Sequence, residues 1–312
     1  MMLSEPMDVL RRFEVRKSKK QKQAFRDAVT AYAQELGYPV QVEKGSMGAQ
    51  NVVIGNAATA EYLITAHYDT PAGMLLPNFL TPCNLLTFLG YQIILTVVMM
   101  VPSLVIGYLV NLLTDSFDVA YLVWYVLFLG TLVLMMAGPA NPHNANDNTS
   151  GVVTVLEIAR TLDETCRGKV AFVLFDLEEL GLIGSSAYRK AHKAETENQV
   201  ILNLDCVGDG NEIVLFPSKK LCKDQKKLEK LCTVVSRNGK KTLSVCNKGF
   251  RTYPSDQKNF PVGVGIAAFK KKKILGYYCS RIHTKKDTVL EITNVNLLRA
   301  NLISLIGRDQ NS

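Results

Sequence analysis

"EYLITAHYDTPAGMLLP", residues 61–77, governs how the rest of the chain is read. An apolar run of buried-strand type ends on His67 and Asp69, and the chain then enters a stretch without charge. A histidine and a carboxylate two apart at a strand end suit half of a metal site. The apolar continuation suits a membrane. Which applies depends on the sequence to either side.

Downstream there is no charged residue between Asp69 and Asp115, and none between Asp118 and Asp147 apart from a neutral His143. Such deserts are rare in soluble proteins. Residues 85–113 would span ~44 Å as a helix, against a hydrocarbon thickness of ~30 Å, with a kink expected at Pro102. Residues 119–137 would span ~28 Å. The linker "TDSFD" is short enough for a helical hairpin, and Tyr121, Trp124 and Tyr125 lie near one end, where interfacial aromatics are expected. A helical hairpin buried in a soluble core is the competing reading, disfavoured because both segments reach membrane length. A hairpin returns the chain to the side it left. The expected organisation is therefore a discontinuous domain, 1–77 and 139–312, interrupted by a transmembrane insert at 78–138.

The net charge is +8, from 36 basic and 28 acidic residues; residues 78–146 carry only Asp115 and Asp118, so +8 less −2 leaves +10 on the remainder. The positive-inside tendency then places the folded part in the cytoplasm, with the hairpin in a bacterial plasma membrane. A hydrophobic content of 47% over 312 residues is ample for a core and excludes a disordered chain. Seven widely spaced cysteines without a C-x-x-C pair read as reduced thiols. The N-terminus has no apolar h-region and is not a secretory signal. No zinc finger or base-stacking motif points to nucleic acid, and there is no glycine-rich phosphate loop.

The polar parts predict an α/β fold: a mostly parallel central sheet with helices on both faces. A helix is expected over roughly 10–36, strands at "VQVE", "NVVIG", "EYLITAHYD", "KVAFVLFDLEE", "QVILNLDCVG" and "NEIVLF", and further helices at "GVVTVLEIARTL", "LIGSSAYRKAHKA", 221–237 and "NVNLLRANLISLIG". "GVGIAAF" and "ILGYYCSRI" complete the strands. Ligands in such folds bind outside the carboxyl ends of the strands.

Three apolar strands end in acids or histidine, "LITAHYD", "AFVLFDLEE" and "VILNLD"; "NANDNTSG" leads into a helix, and "RIHTKKDT" follows the last strand. Each alone reads equally as a cap or a solvated end. Adjacent Glu178 and Glu179 sharpen the case, because two close carboxylates repel unless a cation or shared proton compensates them. Zinc accepts histidine nitrogen and carboxylate oxygen and keeps a position for water, so one glutamate can bind metal while its neighbour serves as general base. His143 and His192, in a loop and on a lysine-rich helix, carry no such signal.

In order and wording these clusters resemble the co-catalytic di-zinc exopeptidases, which include bacterial leucyl aminopeptidases and aminopeptidase Y. The matching pieces are "AHYDT", "NANDNTSG", "DLEELGLIGS", "LNLDCVG" and "RIHTKKDT", with "YPSDQKNFPVGVGIAAF" similar to a serine-aspartate-histidine stretch of that family. The resemblance implies two Zn2+, with His67 and Asp205 holding one, Glu179 and His283 the other, and Asp147 bridging. It implies that Asp69 orients the His67 imidazole and that Glu178 is the general base, in an enzyme that removes N-terminal residues from short peptides. Gln257 departs from the family histidine and Ile282 from a frequent aromatic, both on the substrate side. A non-catalytic receptor on the same fold, and a glutaminyl cyclase or other amide hydrolase, are the alternatives. Lys270, Lys271, Lys272 and Lys273 read as a solvated hairpin turn, or as a contact for anionic lipid headgroups. Lysines and arginines over 16–22 and 219–230 read as exposed faces.

Overall fold

The computed structural model describes residues 3–74 and 76–307. Its apolar, β-branched runs form strands β1 (Val40–Lys44), β2 (Gln50–Ile54), β3 (Tyr62–His67), β4 (Val170–Phe175), β5 (Val200–Leu204), β6 (Glu212–Pro217), β7 (Ser236–Asn238), β8 (Lys241–Val245), β9 (Gly263–Lys272) and β10 (Gly276–Tyr278). They make one sheet in the order β1-β2-β4-β3-β5-β9-β6-β8-β7, with β10 paired to β9. The strands β4, β3, β5 and β9 run parallel at its centre. Both flanks are largely antiparallel, through the pairs β1/β2, β2/β4, β6/β9, β7/β8 and β9/β10. Parallel pairing therefore holds for the centre and yields at the flanks. There, links as short as 239–240 and 273–275 can only reverse the chain.

The helices are α1 (Asp8–Phe13), α2 (Lys19–Glu35), α3 (Leu85–Thr114), α4 (Phe117–Ala137), α5 (Gly151–Thr161), α6 (Ile183–Ala191), α7 (Lys219–Lys223), α8 (Gln225–Cys232) and α9 (Ile292–Gly307). Period-two alternation makes both faces of the sheet apolar. In β4, Val170, Phe172 and Leu174 join the larger core with residues of α2, α5 and α9, while Ala171, Val173 and Phe175 pack with Tyr188 of α6 and Phe260.

Two expected helices differ. The N-terminal one is broken over 14–18, where Arg16 leaves the helical path and is buried. The one expected over 221–237 ends at Cys232 and is followed by β7, an edge strand antiparallel to β8. Lys270, Lys271 and Lys272 belong to β9, and only Lys273 lies in the turn.

The interruption after β3 is a hairpin of α3 and α4, within two residues of the expected bounds. Asn84 and Ser116 cap the two helices. Both are long and apolar enough to cross a membrane, and only 11% and 6% of their most apolar windows are buried. Leu86 and Leu113 are 82% and 85% exposed. A core helix of a soluble protein would hide such residues. The two helices approach closely at Gly107, where a Cβ would lie 3.1 Å from the Trp124 Cβ and 3.2 Å from the Ala120 carbonyl oxygen. Although the hairpin separates β3 from β4 in sequence, β3 lies between β4 and β5, so the sheet closes across the interruption.

Candidate metal centre

The parallel register brings His67 level with Phe175, so the end of β3 meets the segment that carries Glu178 and Glu179. Asp205 follows β5 directly, His283 follows β10, and Asp147 precedes α5. All five converge. His67 Nε2 lies 3.2 Å from Asp147 Oδ1 and 3.6 Å from Asp205 Oδ1. On the other side, His283 Nε2 lies 3.2 Å from Asp147 Oδ2 and 3.5 Å from Glu179 Oε2. Each oxygen of one carboxylate thus serves one histidine-carboxylate pair, which is the disposition a bridging ligand requires. His67, Glu178 and Glu179 form a third group whose donor atoms lie within 4.8 Å of one another.

These separations test whether a zinc-like ion fits. Donors at 2.0–2.2 Å from a tetrahedral ion stand roughly 3.3–3.6 Å apart along the tetrahedron's edges. The observed 3.2–3.6 Å matches. Glu179 Oε1 and Asp205 Oδ1 are buried with no hydrogen-bond partner among the described residues, and buried carboxylate oxygens normally find one. The donor set is of the kind zinc takes.

The backbone is bent to present these groups. Leu177 before Glu178, Cys206 after Asp205, and His283 itself have φ of 57°, 57° and 62°, in the left-handed region that non-glycine residues seldom occupy. The Asp147–Asn148 peptide is cis. Side chains fix the loop from below: Asp287 accepts the N–H of Asn146 (2.9 Å) and of Asp147 (3.0 Å). Asn148 donates to the Leu204 carbonyl at 2.9 Å and accepts from Gly151 and Cys206 N–H. Gly151 is required at the start of α5, because a Cβ there would fall 2.3 Å from the Leu204 oxygen. This contact holds α5 against the end of β5, and with it Asp147 near Asp205.

Asp69 lies 3.5 Å from His67 Nδ1, and its two oxygens accept the N–H groups of Glu178 (3.0 Å) and Glu179 (3.2 Å). It therefore positions the glutamate pair as well as facing the imidazole. Arg16, read from sequence as exposed, is fully buried. It donates to the carbonyls of Tyr68 and Phe13 and to Thr149 Oγ1, and its own N–H bonds Thr70 Oγ1 at 2.8 Å. Lys22, also expected on a surface, is buried against Asp176 at 2.8 Å. Gln257 points into the sheet, where it accepts from Asn203 and donates to the Tyr253 carbonyl, and Ile282 is buried. The sequence reading missed Arg16, Asn146, Asn148 and Asp287. "NANDNTSG" and "RIHTKKDT" contained three of them, but nothing in a linear pattern separates a donor from the residue that holds it.

The electrostatics are those of crowded acids. Burial and the nearby Glu179, Asp256 and Asp205 push Glu178 well above the ordinary range, against the pull of His67. Glu179 is raised likewise, by burial and then Asp147. Burial also raises Asp147, but His283 and His67 outweigh it and leave this carboxyl low. His67 would lose its proton through burial; Glu178, Asp147, Asp205 and Asp69 instead push it up. Two cations would relieve every one of these conflicts. A separate cavity of about 590 Å3, lined by Phe216, Lys219, Phe250, Arg251, Tyr253 and Gln257 among others, contains none of the donors. His143 and His192 face Glu14 and Glu43, and neither belongs to a metal-competent group among the described residues.

Residues 126–305, more than half of the chain, match the model of peptidase family M28. A stretch of 74 residues is 46% identical to aminopeptidase YwaD of Bacillus subtilis (strain 168), covering 22% of this chain and 16% of that protein. The chain therefore spans only a small part of that relative. Among solved structures, a glutaminyl cyclase from Porphyromonas gingivalis superposes with a TM-score of 0.60 at 15% identity, covering 98% of this chain and 97% of that one. The LapA aminopeptidase of Legionella pneumophila gives 0.57 at 12% identity, over 96% and 69%. A leucine aminopeptidase precursor from Bacteroides thetaiotaomicron VPI-5482 gives 0.56 at 15% identity, over 96% and 93%. At these identities the likeness shows a shared fold.

Proposed function

We propose that this chain, which belongs to peptidase family M28, is a membrane-anchored zinc aminopeptidase that removes N-terminal residues from short peptides. The single observation that carries the reading is Asp147, whose two oxygens lie 3.2 Å from two different histidines, each with its own second carboxylate. In this reading His67 and Asp205 hold one Zn2+, Glu179 and His283 hold the other, and Asp147 bridges. Bound zinc supplies Lewis acidity, polarising a carbonyl and lowering the pKa of a water toward ~7.

The chain's own part is proton handling and placement. The Glu178 carboxylate takes the proton of the attacking water and returns it to the leaving amine. Its place beside the His67 and Glu179 donors suits a group that takes and returns a proton. Asp69 fixes where that carboxylate stands, through the backbone N–H groups of Glu178 and Glu179. A catalytic domain of residues 1–77 and 139–312 carries this site, and 78–138 form the transmembrane hairpin. The exposed apolar surface of α3 and α4 supports membrane insertion. The charge balance supports a cytoplasmic domain at a bacterial plasma membrane. Of the four lysines at the end of β9 and the turn after it, Lys270 is paired with Asp209 at 2.8 Å and Lys271 and Lys272 lie over the Tyr277 and Tyr278 rings; in this reading Lys271, Lys272 and Lys273 meet anionic headgroups.

The test uses detergent-solubilised protein. Zinc content should approach two per chain, and Glu178→Gln should lower release of N-terminal residues from short peptides by ~10²–10⁴ while zinc stays bound. Equal activity in the two proteins removes Glu178 from the mechanism. The glutaminyl cyclase fold likeness keeps a second reaction in view. Product mass distinguishes it, since a peptide beginning with glutamine loses ammonia under cyclisation and a residue under hydrolysis.

A further inference from the structure

Seven cysteines are scattered along the chain, and two of them meet. Cys83 lies in the segment before α3 and Cys246 directly follows β8, yet their sulfurs are 3.4 Å apart. Both are half-buried, whereas Cys166, Cys206 and Cys279 are enclosed. Each thiol sits on backbone that is tied down. Cys246 N–H donates to the Leu215 carbonyl at 2.8 Å and Thr252 N–H to the Pro82 carbonyl at 2.9 Å, while Leu80 and Cys279 exchange N–H bonds of 3.1 and 3.0 Å. The encounter is thus built into two anchored segments. The Cys83 S–H and the Arg251 charge both favour a thiolate at Cys246, bringing it down to about 7 against the cost of burial. Cys83 is pushed up, first by Cys246 itself.

We propose that Cys83 and Cys246 are a hydroperoxide-reactive pair that closes reversibly to a disulfide, stapling the base of the α3–α4 hairpin to the wall of the 590 Å3 cavity. The Cys246 thiolate attacks one oxygen of hydrogen peroxide; an S–O bond forms, the O–O bond breaks, and the departing hydroxide takes a proton to become water. The sulfur of Cys83 then attacks that of Cys246. An S–S bond forms, the S–O bond breaks, and the second hydroxide leaves as water with the Cys83 proton. Two thiols lose two electrons, and one peroxide becomes two waters. The sulfurs must close from 3.4 Å to about 2.05 Å. Because Asn247 and residues 249–253 line the cavity and the Tyr253 hydroxyl bonds the Asp205 carbonyl at 2.9 Å, the staple would hold a segment that also touches the metal centre. This inference stands whether or not the chain is a peptidase.

The experiment uses full-length protein in detergent, reduced with dithiothreitol, freed of reductant and titrated with hydrogen peroxide. Free thiols are alkylated and peptides mapped by mass. The expected product is a Cys83–Cys246 linked peptide, formed at least tenfold faster than any other cysteine is oxidised and lost on renewed reduction. Cys83→Ser should leave a sulfenic acid at Cys246, trapped by dimedone. The proposal is overturned if both thiols are still alkylated once other cysteines have oxidised, or if either pairs with a different partner. The wild-type mapping decides the matter even if the variant fails to fold.

Discussion

Asp287 tests whether Asp147, the proposed bridge, is held from behind. Its carboxylate, 1% exposed, accepts two backbone N–H groups at 2.9 and 3.0 Å, those of Asn146 and Asp147. Asp287→Ala removes both acceptors in a place water does not reach. Each buried N–H left alone costs about 1–3 kcal/mol, so the loss is roughly 2–6 kcal/mol. A domain is held by only ~5–15 kcal/mol. At about 2–4 °C per kcal/mol for a domain of 150–250 residues, Tm should fall by roughly 4–24 °C. Asp287→Asn keeps one acceptor oxygen and should cost about half as much. Removal of such an outer partner typically costs ~10–100-fold in metal affinity, so both variants should surrender zinc at lower chelator concentration, alanine more readily. The assay is a thermal scan of the chelated protein, together with a chelator titration of the zinc-loaded protein. An alanine variant that melts within a degree of wild type and holds zinc as tightly would refute the argument that Asp287 sets the Asp147 backbone.

Arg16→Met leaves the Tyr68 carbonyl, the Phe13 carbonyl and Thr149 Oγ1 without their donor, and should lower stability by ~2–5 kcal/mol, read as a drop in Tm; Arg16→Lys should recover part of it. The zinc-free protein should be less stable at pH 8 than at pH 5.5. Folding raises Glu178 and Glu179 well above 4.5, raises Asp256 and Asp287 from 3.8 to about 7 and lifts His67 above 6.5, so the folded state holds protons that the unfolded chain has released. Their contribution is lost as pH climbs through the folded values. The lowered Asp69 and Asp147 contribute in the opposite sense, but theirs is already complete well above 3.8. Zinc replaces those protons and should reverse the trend, which thermal scans with and without metal would display. Protease added to intact cells should leave the catalytic domain uncut; digestion of that domain would reverse the proposed orientation.

Much of the site was legible because strand ends leave a linear trace. An apolar run that stops on histidine or an acid marks a carboxyl edge, as three strands do here, and with two further clusters in the same order the resemblance to the di-zinc exopeptidases picks out His67, Asp147, Glu178, Glu179, Asp205 and His283 together with Asp69 as candidates, which the fold brings together. The hairpin was legible for a still simpler reason: two uncharged, apolar segments long enough to cross a membrane are recorded by composition alone. The same logic failed at Arg16 and Lys22. A basic run reads as solvated because burying an unpaired cation is costly. Here the carbonyls of Tyr68 and Phe13 and the carboxylate of Asp176, all remote in sequence or hidden by a broken helix, supply the compensation.

What composition, patterning and cluster order determined was the kind of fold, the place of the hairpin and which side chains are candidate metal donors. Tertiary structure alone decided the rest. It set how Asp147 divides its two oxygens between two histidines, that Asp287 and Arg16 hold the backbone beneath them, and that Cys83 faces Cys246. The physical reason is that a residue's type limits what it can bind, whereas its partner is fixed by register and loop closure across the sheet. Those couple positions tens to hundreds of residues apart, and no local pattern carries that information.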